Sequence, residues 1–468
     1  MPVEGCRRPA KNADISLHMA LFAERGGLTP PRLVTDRRFL GCFTGKSKMH
    51  RYSSAAVPSL MTLLVITIAS ITPLAAQDAF RKSAGDRGFR AIEAGRYETA
   101  EALFLAAIKA GNRSGTQDAA TVHSLRGLGL VRLHQGRHPE AIDILQQAVR
   151  IAENTEGPST KLTADAIHDL ASACAAAADY DTAEQLYIHS RDLRAELLGP
   201  GHPDVASSLN NLALLSRAQG NYEDAQSLYE EAFEITGRAL GPDHAESAAV
   251  LNNLASCCCA LGRYEDADAF VSRALKIRKG IYGDDHPLVA ACLSQQARIQ
   301  RAQASYASAE KTYQQVLRID LKYFGAEHVE PALQRRALAL VAAIAGRTDD
   351  SDAMLQQALA VLRRQPRGDG TVDLQPVTRR GLELADEQRF SEAEAALSSA
   401  WRISEQQYGP DAPETLRLLR LTADAIGAQG RSEERSVLRG WAEAGYGSQR
   451  TLNVARQPQS GPEPPPSR

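Results

Sequence analysis

Apolar residues recur along this chain with the spacing of α-helices, interrupted at regular places by glycine and proline. In residues 199–240, Val205, Leu209 and Leu212 lie three or four positions apart, which predicts a helix with one packed face. Gly220 ends that helix, because glycine accepts the left-handed conformation that a helix end needs. A second helix follows, with the buried stripe Ala225, Leu228, Ala232 and Ile235. Each unit is therefore predicted to be an antiparallel helix pair.

A six-residue turn signature of the type Gly-Asn-Tyr-Glu-Asp-Ala marks the junction of the two helices in each unit. The first interval between these markers is 41 residues and every later one is 42. A fixed period in this range predicts a solenoid, in which each unit buries its apolar face against its neighbours. The marker positions are Gly95, Gly136, Ala178, Gly220, Gly262, Ala304, Gly346, Gln388 and Gly430.

Small residues recur in the same register as the turns. The position seven residues before the marker is always glycine or alanine, as in Gly129, Ala255 and Gly381. The position five residues after it is alanine in seven of the nine units, with Ser351 and Arg435 as the exceptions. A larger side chain at such a position would force the helices apart, at a cost of about 1–3 kcal/mol. The periodicity in size therefore supports the helix pairs independently of hydrophobicity.

The residues His202-Pro203-Asp204, Leu209-Asn210-Asn211-Leu212-Ala213 and Gly220-Asn221-Tyr222-Glu223-Asp224-Ala225 resemble the tetratricopeptide repeat, in the 42-residue form of kinesin light chains. The resemblance covers about residues 80–442. It implies an all-α fold, a right-handed superhelical solenoid of about nine antiparallel helix pairs. Two segments depart from the pattern: 346–351 lacks the tyrosine, and 363–375 replaces the usual linker between repeats.

Both ends of the chain lie outside the repeat pattern. Residues 49–76 are predicted to be a signal peptide, or a membrane anchor if they are not cleaved, because a basic start precedes the apolar run 60–71 and the small residues before Gln77. Residues 1–48 are read as an extension from a start codon assigned too early, or as a cytoplasmic tail. The repeat array spans 77–442, and the proline-rich residues 443–468 are predicted to be a disordered tail.

Composition argues against several classes of chemistry. With 54 basic and 56 acidic residues, the chain has no net field that would favour nucleic acid. The histidines at 202, 244, 286 and 328 occupy equivalent positions in successive repeats, so they are expected to lie about 8–10 Å apart, too far to bind one metal ion together, and near helix starts. The cysteines after residue 76 are expected to be mostly free, buried thiols. No metal, no cofactor and no enzymatic activity are predicted.

The sequence thus predicts an exported scaffold, periplasmic or secreted, that binds a protein or an extended peptide in the concave groove of the superhelix. Two alternatives stay open: a recognition or regulatory subunit of a cell-envelope enzyme, and an envelope structural or oligomerisation protein. The resemblance implies that asparagines matching Asn210 and Asn252 line the groove, and arginines there would favour a partner with carboxylates. In another reading, Asn211 and Asn253 tie adjacent helices together and the arginines are only solvated. The predicted groove residues are Asn210, Asn252, Gln295, Arg217, Arg298, Arg301 and Arg336.

Overall fold

The computed structural model describes residues 74–93, 96–365, 367 and 372–445, and these residues form eighteen α-helices without a strand. They divide into two compact units, one within 28–197 and one that holds the described residues from 198 onwards. The predicted all-α solenoid of about nine antiparallel helix pairs is confirmed. The residues assigned to the tail beyond 445 and the predicted apolar signal segment 60–71 lie outside the described residues.

The first unit contains three helix pairs. Its first helix begins at Leu74, so the residues that the sequence proposes for signal cleavage, Ala75 and Ala76, are helical here. None of the helices described in the chain combines the length and the apolar content that a membrane span requires. The helices are α1 Leu74–Glu93, α2 Tyr97–Ser114, α3 Ala119–His134, α4 His138–Thr155, α5 Lys161–Ala176 and α6 Tyr180–Leu198.

The second unit contains six helix pairs. Four of them follow one another with connections of four or five residues, and a longer segment, 363–374, precedes the last two. The helices are α7 Pro203–Ala218, α8 Tyr222–Ala239, α9 Ala245–Ala260, α10 Tyr264–Tyr282, α11 Pro287–Ala302, α12 Tyr306–Phe324, α13 Val329–Ile344, α14 Thr348–Leu362, α15 Gln375–Asp386, α16 Phe390–Tyr408, α17 Pro413–Ala428 and α18 Ser432–Glu443.

The turn within each pair explains the recurring marker. From Gly136 onwards, the marker residue has a positive φ in every unit, including Ala178, Ala304 and Gln388, where it is not glycine. At Gly262, the amide donates to the Cys259 carbonyl, and the next amide donates to Cys258, which closes the end of α9. A left-handed residue is needed for this closure. The period of the sequence is thus the period of the left-handed turns.

The small residues lie where the two helices of a pair touch. A β-carbon added to Gly129 would stand 2.5 Å from Leu145 Cγ, and one added to Gly381 would stand 2.8 Å from Leu397 Cγ. The alanines at the same position in α5, α7, α9, α11, α13 and α17 are fully buried. Pairing therefore depends on these residues staying small.

The last two pairs do not simply extend the stack of the four before them. Helix α16 contacts α9, and α18 contacts α13. An apolar cluster joins α17 and α18 to α13 and α14, with Leu340, Leu359, Leu419 and Trp441 among its members. Within this unit, α15–α18 therefore fold back against the first helices of the earlier pairs.

Candidate partner-binding groove

Four histidines fix the start of the first helices in the pairs α7–α14. His202, His244, His286 and His328 are the N-cap residues of α7, α9, α11 and α13. In each case Nδ1 accepts a hydrogen bond from the backbone amide two residues on, at 3.1–3.2 Å. The expectation that they lie near helix starts is confirmed. We call the surface of α7, α9, α11 and α13 that carries the seven predicted side chains the groove face.

The asparagines of the groove face are tied to one another. Asn253 Nδ2, on α9, donates to Asn210 Oδ1, on α7, at 3.0 Å. Asn210 and Asn252 are both buried, with 8% and 2% of their surface exposed. The bond from Asn253 matches the alternative in which amides hold adjacent helices together. A role of Asn210 or Asn252 in binding a partner stays a prediction.

Three more predicted residues, Arg217, Gln295 and Arg298, lie on α7 and α11 and take part in polar contacts. Arg217 Nη1 donates to Ser256 Oγ on the next first helix at 3.2 Å. Arg298 Nη1 donates to Gln295 Oε1 one turn earlier at 3.1 Å. Gln295 is buried, and within the described chain its Nε2 has no hydrogen-bond partner. Polar side chains therefore continue along this part of the groove face.

Arg336 binds a carboxylate of the last pairs. Its Nη1 donates to both carboxylate oxygens of Glu405, on α16, with 2.6 Å to Oε2. Its guanidinium also lies over the Trp401 ring, 4.6 Å from the ring centre. Both charged side chains are about nine-tenths buried. An ion pair with this burial is held only because the two charges neutralise each other.

Arg301 belongs to a four-membered charged cluster. Its Nε lies 3.4 Å from Glu434 Oε1 on α18, and its Nη2 lies 3.8 Å from Glu394 Oε1 on α16. Arg431 donates to the same two glutamates, at 2.7 Å to Glu394 and 2.6 Å to Glu434. The side chain of Glu434 is completely buried. The cluster joins α11 to α16 and α18 with two positive and two negative charges.

Electrostatics keep this cluster charged. Burial would lower the pKa of Arg431, but the carboxylates of Glu394 and Glu434 outweigh it and raise the pKa. The same competition between burial and Glu434 raises the pKa of Arg301. Arg301 and Arg431 therefore stay charged, and Arg301 and Arg336 have carboxylates of the same chain as their neighbours.

Sequence reasoning missed Glu394, Glu405 and Glu434. The turn pattern locates α16 and α18 in the sequence, but a glutamate on a repeat helix usually faces solvent. Nothing in the local pattern indicates that the pairs after 374 lie against the groove face. In this structure, the carboxylates next to Arg301 and Arg336 belong to the chain itself, and the acidic partner stays a prediction.

A second buried charge network lies in the first unit. Arg126 Nε donates to Asp169 Oδ2 at 2.6 Å, and Arg194 Nη2 donates to Asp165 Oδ1 at 2.8 Å. Burial would raise the pKa of Asp165, but Arg126, Arg194 and Lys161 hold it at about 2. The network joins α3, α5 and α6 by paired opposite charges. We interpret this network as a structural feature that holds the three helices together.

The described residues hold no group of three or more His, Cys, Asp or Glu side chains that could bind a metal ion. The five cysteines of the described residues are free, and four of them are buried. Cys257 Sγ donates to the Tyr222 carbonyl at 2.9 Å, and burial raises the pKa of this thiol to about 12. Such a thiol packs as a small apolar side chain.

Comparison with known structures returns helical-repeat proteins. BtubC (BKLC) from P. vanneervenii is 20% identical and covers 50% of this chain and 97% of its own, with a TM-score of 0.42. A kinesin light chain protein of Podosopora anserina with TPR-like repeats is 24% identical over 44% of this chain and 98% of its own, with a TM-score of 0.38. A Rap protein complexed with Competence and Sporulation Factor is 13% identical over 75% of this chain and 98% of its own, with a TM-score of 0.48.

No curated protein matches the sequence. The family profile described as tetratricopeptide repeat matches residues 87–154, 162–238, 204–279 and 246–322. These stretches contain the six turn markers from Gly95 to Ala304, and the markers Gly346, Gln388 and Gly430 lie beyond them. Residues 87–154 and 162–322 of this chain are tetratricopeptide repeats.

Proposed function

We propose that this protein is an exported, non-enzymatic scaffold that binds a protein or peptide partner on the groove face of α7, α9, α11 and α13. The observation that carries the proposal is the pairing of Arg301 and Arg336 with buried carboxylates of α16 and α18. The groove face holds a helix that presents glutamates, so its shape and charge suit a partner segment with carboxylates.

The donors of the groove face support this chemistry. Guanidinium groups bind carboxylates with two parallel hydrogen bonds, and amide side chains can donate to and accept from a peptide backbone. Arg298 and Gln295 offer such donors one to two turns from the Arg301 cluster. A partner with one acidic side chain and a free backbone carbonyl could bind the Arg301 cluster with the first and Arg298 or Gln295 with the second.

Tetratricopeptide repeats support binding over catalysis, because stacked helix pairs provide long concave surfaces. The arginines of the groove face bind carboxylates of α16 and α18 or donate to neutral side chains, and such groups suit a recognition surface. Binding a partner on this surface therefore requires no catalytic group.

Export is proposed from the residues that precede the repeats. The basic start after Met49, the apolar run and the small residues before Gln77 fit a secretory signal. Sequencing the N-terminus of the protein purified from its native cells tests this. A mature chain that begins near residue 77 supports export, and a chain that retains 62–76 in the membrane fraction supports an anchor.

The binding proposal is tested by cross-linking in intact cells, followed by capture of the tagged full-length chain. Arg298→Ala should lower the affinity for the captured protein about tenfold or more, because a charge-assisted hydrogen bond is lost. Arg318→Ala, an exposed change on α12, is the matched control and should leave the affinity unchanged. Equal affinities for both variants would move the binding site off the groove face.

A further inference from the structure

We propose that α16 acts as an intramolecular ligand of the groove face, and that a partner segment with carboxylates competes with Glu394 and Glu405 of α16 for Arg301 and Arg336. This inference rests on the function proposed above, since it concerns the same surface. It adds a form of regulation: the chain covers its own binding arginines until a competitor releases them.

The carboxylates of α16 are arranged on one side of the helix. Glu394 and Glu405 are eleven residues apart, which is close to three helical turns and brings both to the same face. Glu394 lies next to Arg301 on α11. Glu405 binds Arg336 on α13, the first helix of the next pair. One helix therefore occupies two arginines at the spacing of consecutive repeats.

Trp401 of α16 packs against the apolar cluster of α13, α14, α17 and α18, whereas the contacts around the start of α16 are polar. Tyr264 Oη lies 3.5 Å from Ser391 Oγ and 3.3 Å from Gln429 Oε1. Arg389 Nη2 lies 3.7 Å from Glu223 at the start of α8, where both side chains are partly exposed. Contacts of this kind exchange with water at low cost, since exposed ion pairs contribute about 0–1 kcal/mol.

The contrast with α17 and α18 indicates which part stays bound. These two helices share the apolar cluster with α13 and α14, including Leu359, Leu419 and Ile426, all almost completely buried. Apolar burial of that kind is not replaced by a charged competitor. Release is therefore expected to begin at Glu405 and Glu394 of α16, with α17 and α18 remaining on α13 and α14.

The coupling follows from population arithmetic. A ligand that needs a free groove face binds with an apparent dissociation constant equal to the intrinsic one divided by the fraction of open molecules. A change that weakens the intramolecular contact raises that fraction and strengthens binding of a competitor. An ordinary binding site would be weakened or unaffected by the same change.

The experiment uses the full-length protein and a fluorescently labelled synthetic peptide with the sequence of α16, residues 390–408. Fluorescence anisotropy gives its affinity for the wild type and for Glu405→Gln, which keeps the side-chain shape and removes the charge. The variant should bind the peptide about tenfold more tightly or better, because its own Arg336 contact is weakened. Glu414→Gln, which removes a carboxylate paired with Arg417 on the exposed side of α17, should match the wild type.

Two further variants keep the test decisive. If Glu405→Gln loses helical content by circular dichroism, Glu394→Gln replaces it, because Glu394 is partly exposed. The double variant Glu405→Gln with Arg336→Gln should lose the gain in affinity, since the arginine that holds the peptide is gone. Equal peptide affinity for wild type and both single variants, or a gain that persists without Arg336, would overturn the proposal.

Failure of this inference can be told apart from failure of the proposed function. If a cellular partner is captured and its affinity depends on Arg298 but not on Glu405, binding stands and self-occupation is wrong. If the peptide competes as expected but Arg298→Ala changes no cellular binding, self-occupation stands and the proposed function is wrong.

Discussion

The four helix pairs of 203–362 and the two pairs of 375–443 share small residues at the contact between paired helices and differ in how their first helices are capped. Both keep small residues where paired helices touch, as Ala255 does in the first region and Gly381 and Ala423 do in the second. Only the first region caps its first helices with histidine. Leu374 and Ala412 precede α15 and α17 without a side-chain cap, and α15 is shortened to 12 residues.

The difference separates what makes a helix pair from what stacks one pair on the next. Small residues are enough for pairing, because α15–α18 still form antiparallel pairs. The short capped connections of four or five residues set the direction of stacking in 203–362. A longer connection of twelve residues precedes α15, and α16 and α18 lie against α9 and α13.

The largest effect is expected in the second region, at the buried cluster of Glu434. Glu434→Ala should destabilise α18 by about 3–5 kcal/mol, because Arg431 and Arg301 then keep buried charge without this partner. Urea unfolding measures the loss, and hydrogen exchange assigns it to α16 and α18. Glu433→Ala, an exposed neighbour, should stay within about 0.5 kcal/mol of wild type. Similar small losses for both would show that the cluster is solvated.

Overpacking tests whether both regions depend on the same seam. Ala255→Leu in α9 and Ala423→Leu in α17 should each cost about 1–3 kcal/mol, since both alanines are fully buried between helices. Ala307→Leu, exposed on α12, is the control and should be nearly neutral. A large loss at Ala255 with none at Ala423 would mean that the second region pairs by other contacts.

The left-handed turns predict a gain of stability. Ala304→Gly in the first region and Gln388→Gly in the second should each stabilise the chain by about 1 kcal/mol, because a residue with a β-carbon is strained at φ 57 and φ 62. Gly430→Ala, at φ 84 with nothing within 4 Å of an added β-carbon, should lose a similar amount. Thermal unfolding of the three variants provides the comparison. A loss of stability in Ala304→Gly or Gln388→Gly would contradict the proposed backbone strain at that residue.

The smallest expected effect is a pH dependence of stability, which the histidine-capped region should show and the uncapped region should not. Burial and the nearby Arg278 lower the pKa of His286, so the unfolded chain binds protons more readily below about pH 6.5. The stability from this cap is therefore present above that pH and lost as the pH falls, by about 1 kcal/mol. Hydrogen exchange at the start of α11 should accelerate on acidification, and the uncapped start of α17 is the internal control. An identical pH response in His286→Ala would rule out this cap as the cause.

The periodic part of the fold could be predicted from the sequence because its causes are local. Left-handed turns need glycine or a tolerant residue, close helices need alanine or glycine, and both leave a 42-residue rhythm. Even the histidine positions follow from this rhythm, although their hydrogen bonds to the backbone do not. The helix pairs were therefore predictable one by one.

The groove could be predicted only in part. Arg301 and Arg336 are recognisable as cations on first helices, but the carboxylates that meet them are far away along the chain. Glu405 is 69 residues from Arg336, and the turn of the chain between them follows from tertiary packing. The hydrogen bond from Asn253 to Asn210 likewise joins two repeats, so it cannot be predicted from the pattern of a single repeat.

The central claim is that α16 occupies the arginines of the groove face, and a double-mutant cycle on Arg336→Gln and Glu405→Gln tests it most directly. Urea unfolding of the wild type, the two single variants and the double variant gives the coupling free energy between the two side chains. The structure predicts a coupling of about 1.5–3 kcal/mol, the value for a hydrogen bond between charged groups. A coupling within about 0.5 kcal/mol of zero would show that the two side chains act independently and would contradict the account.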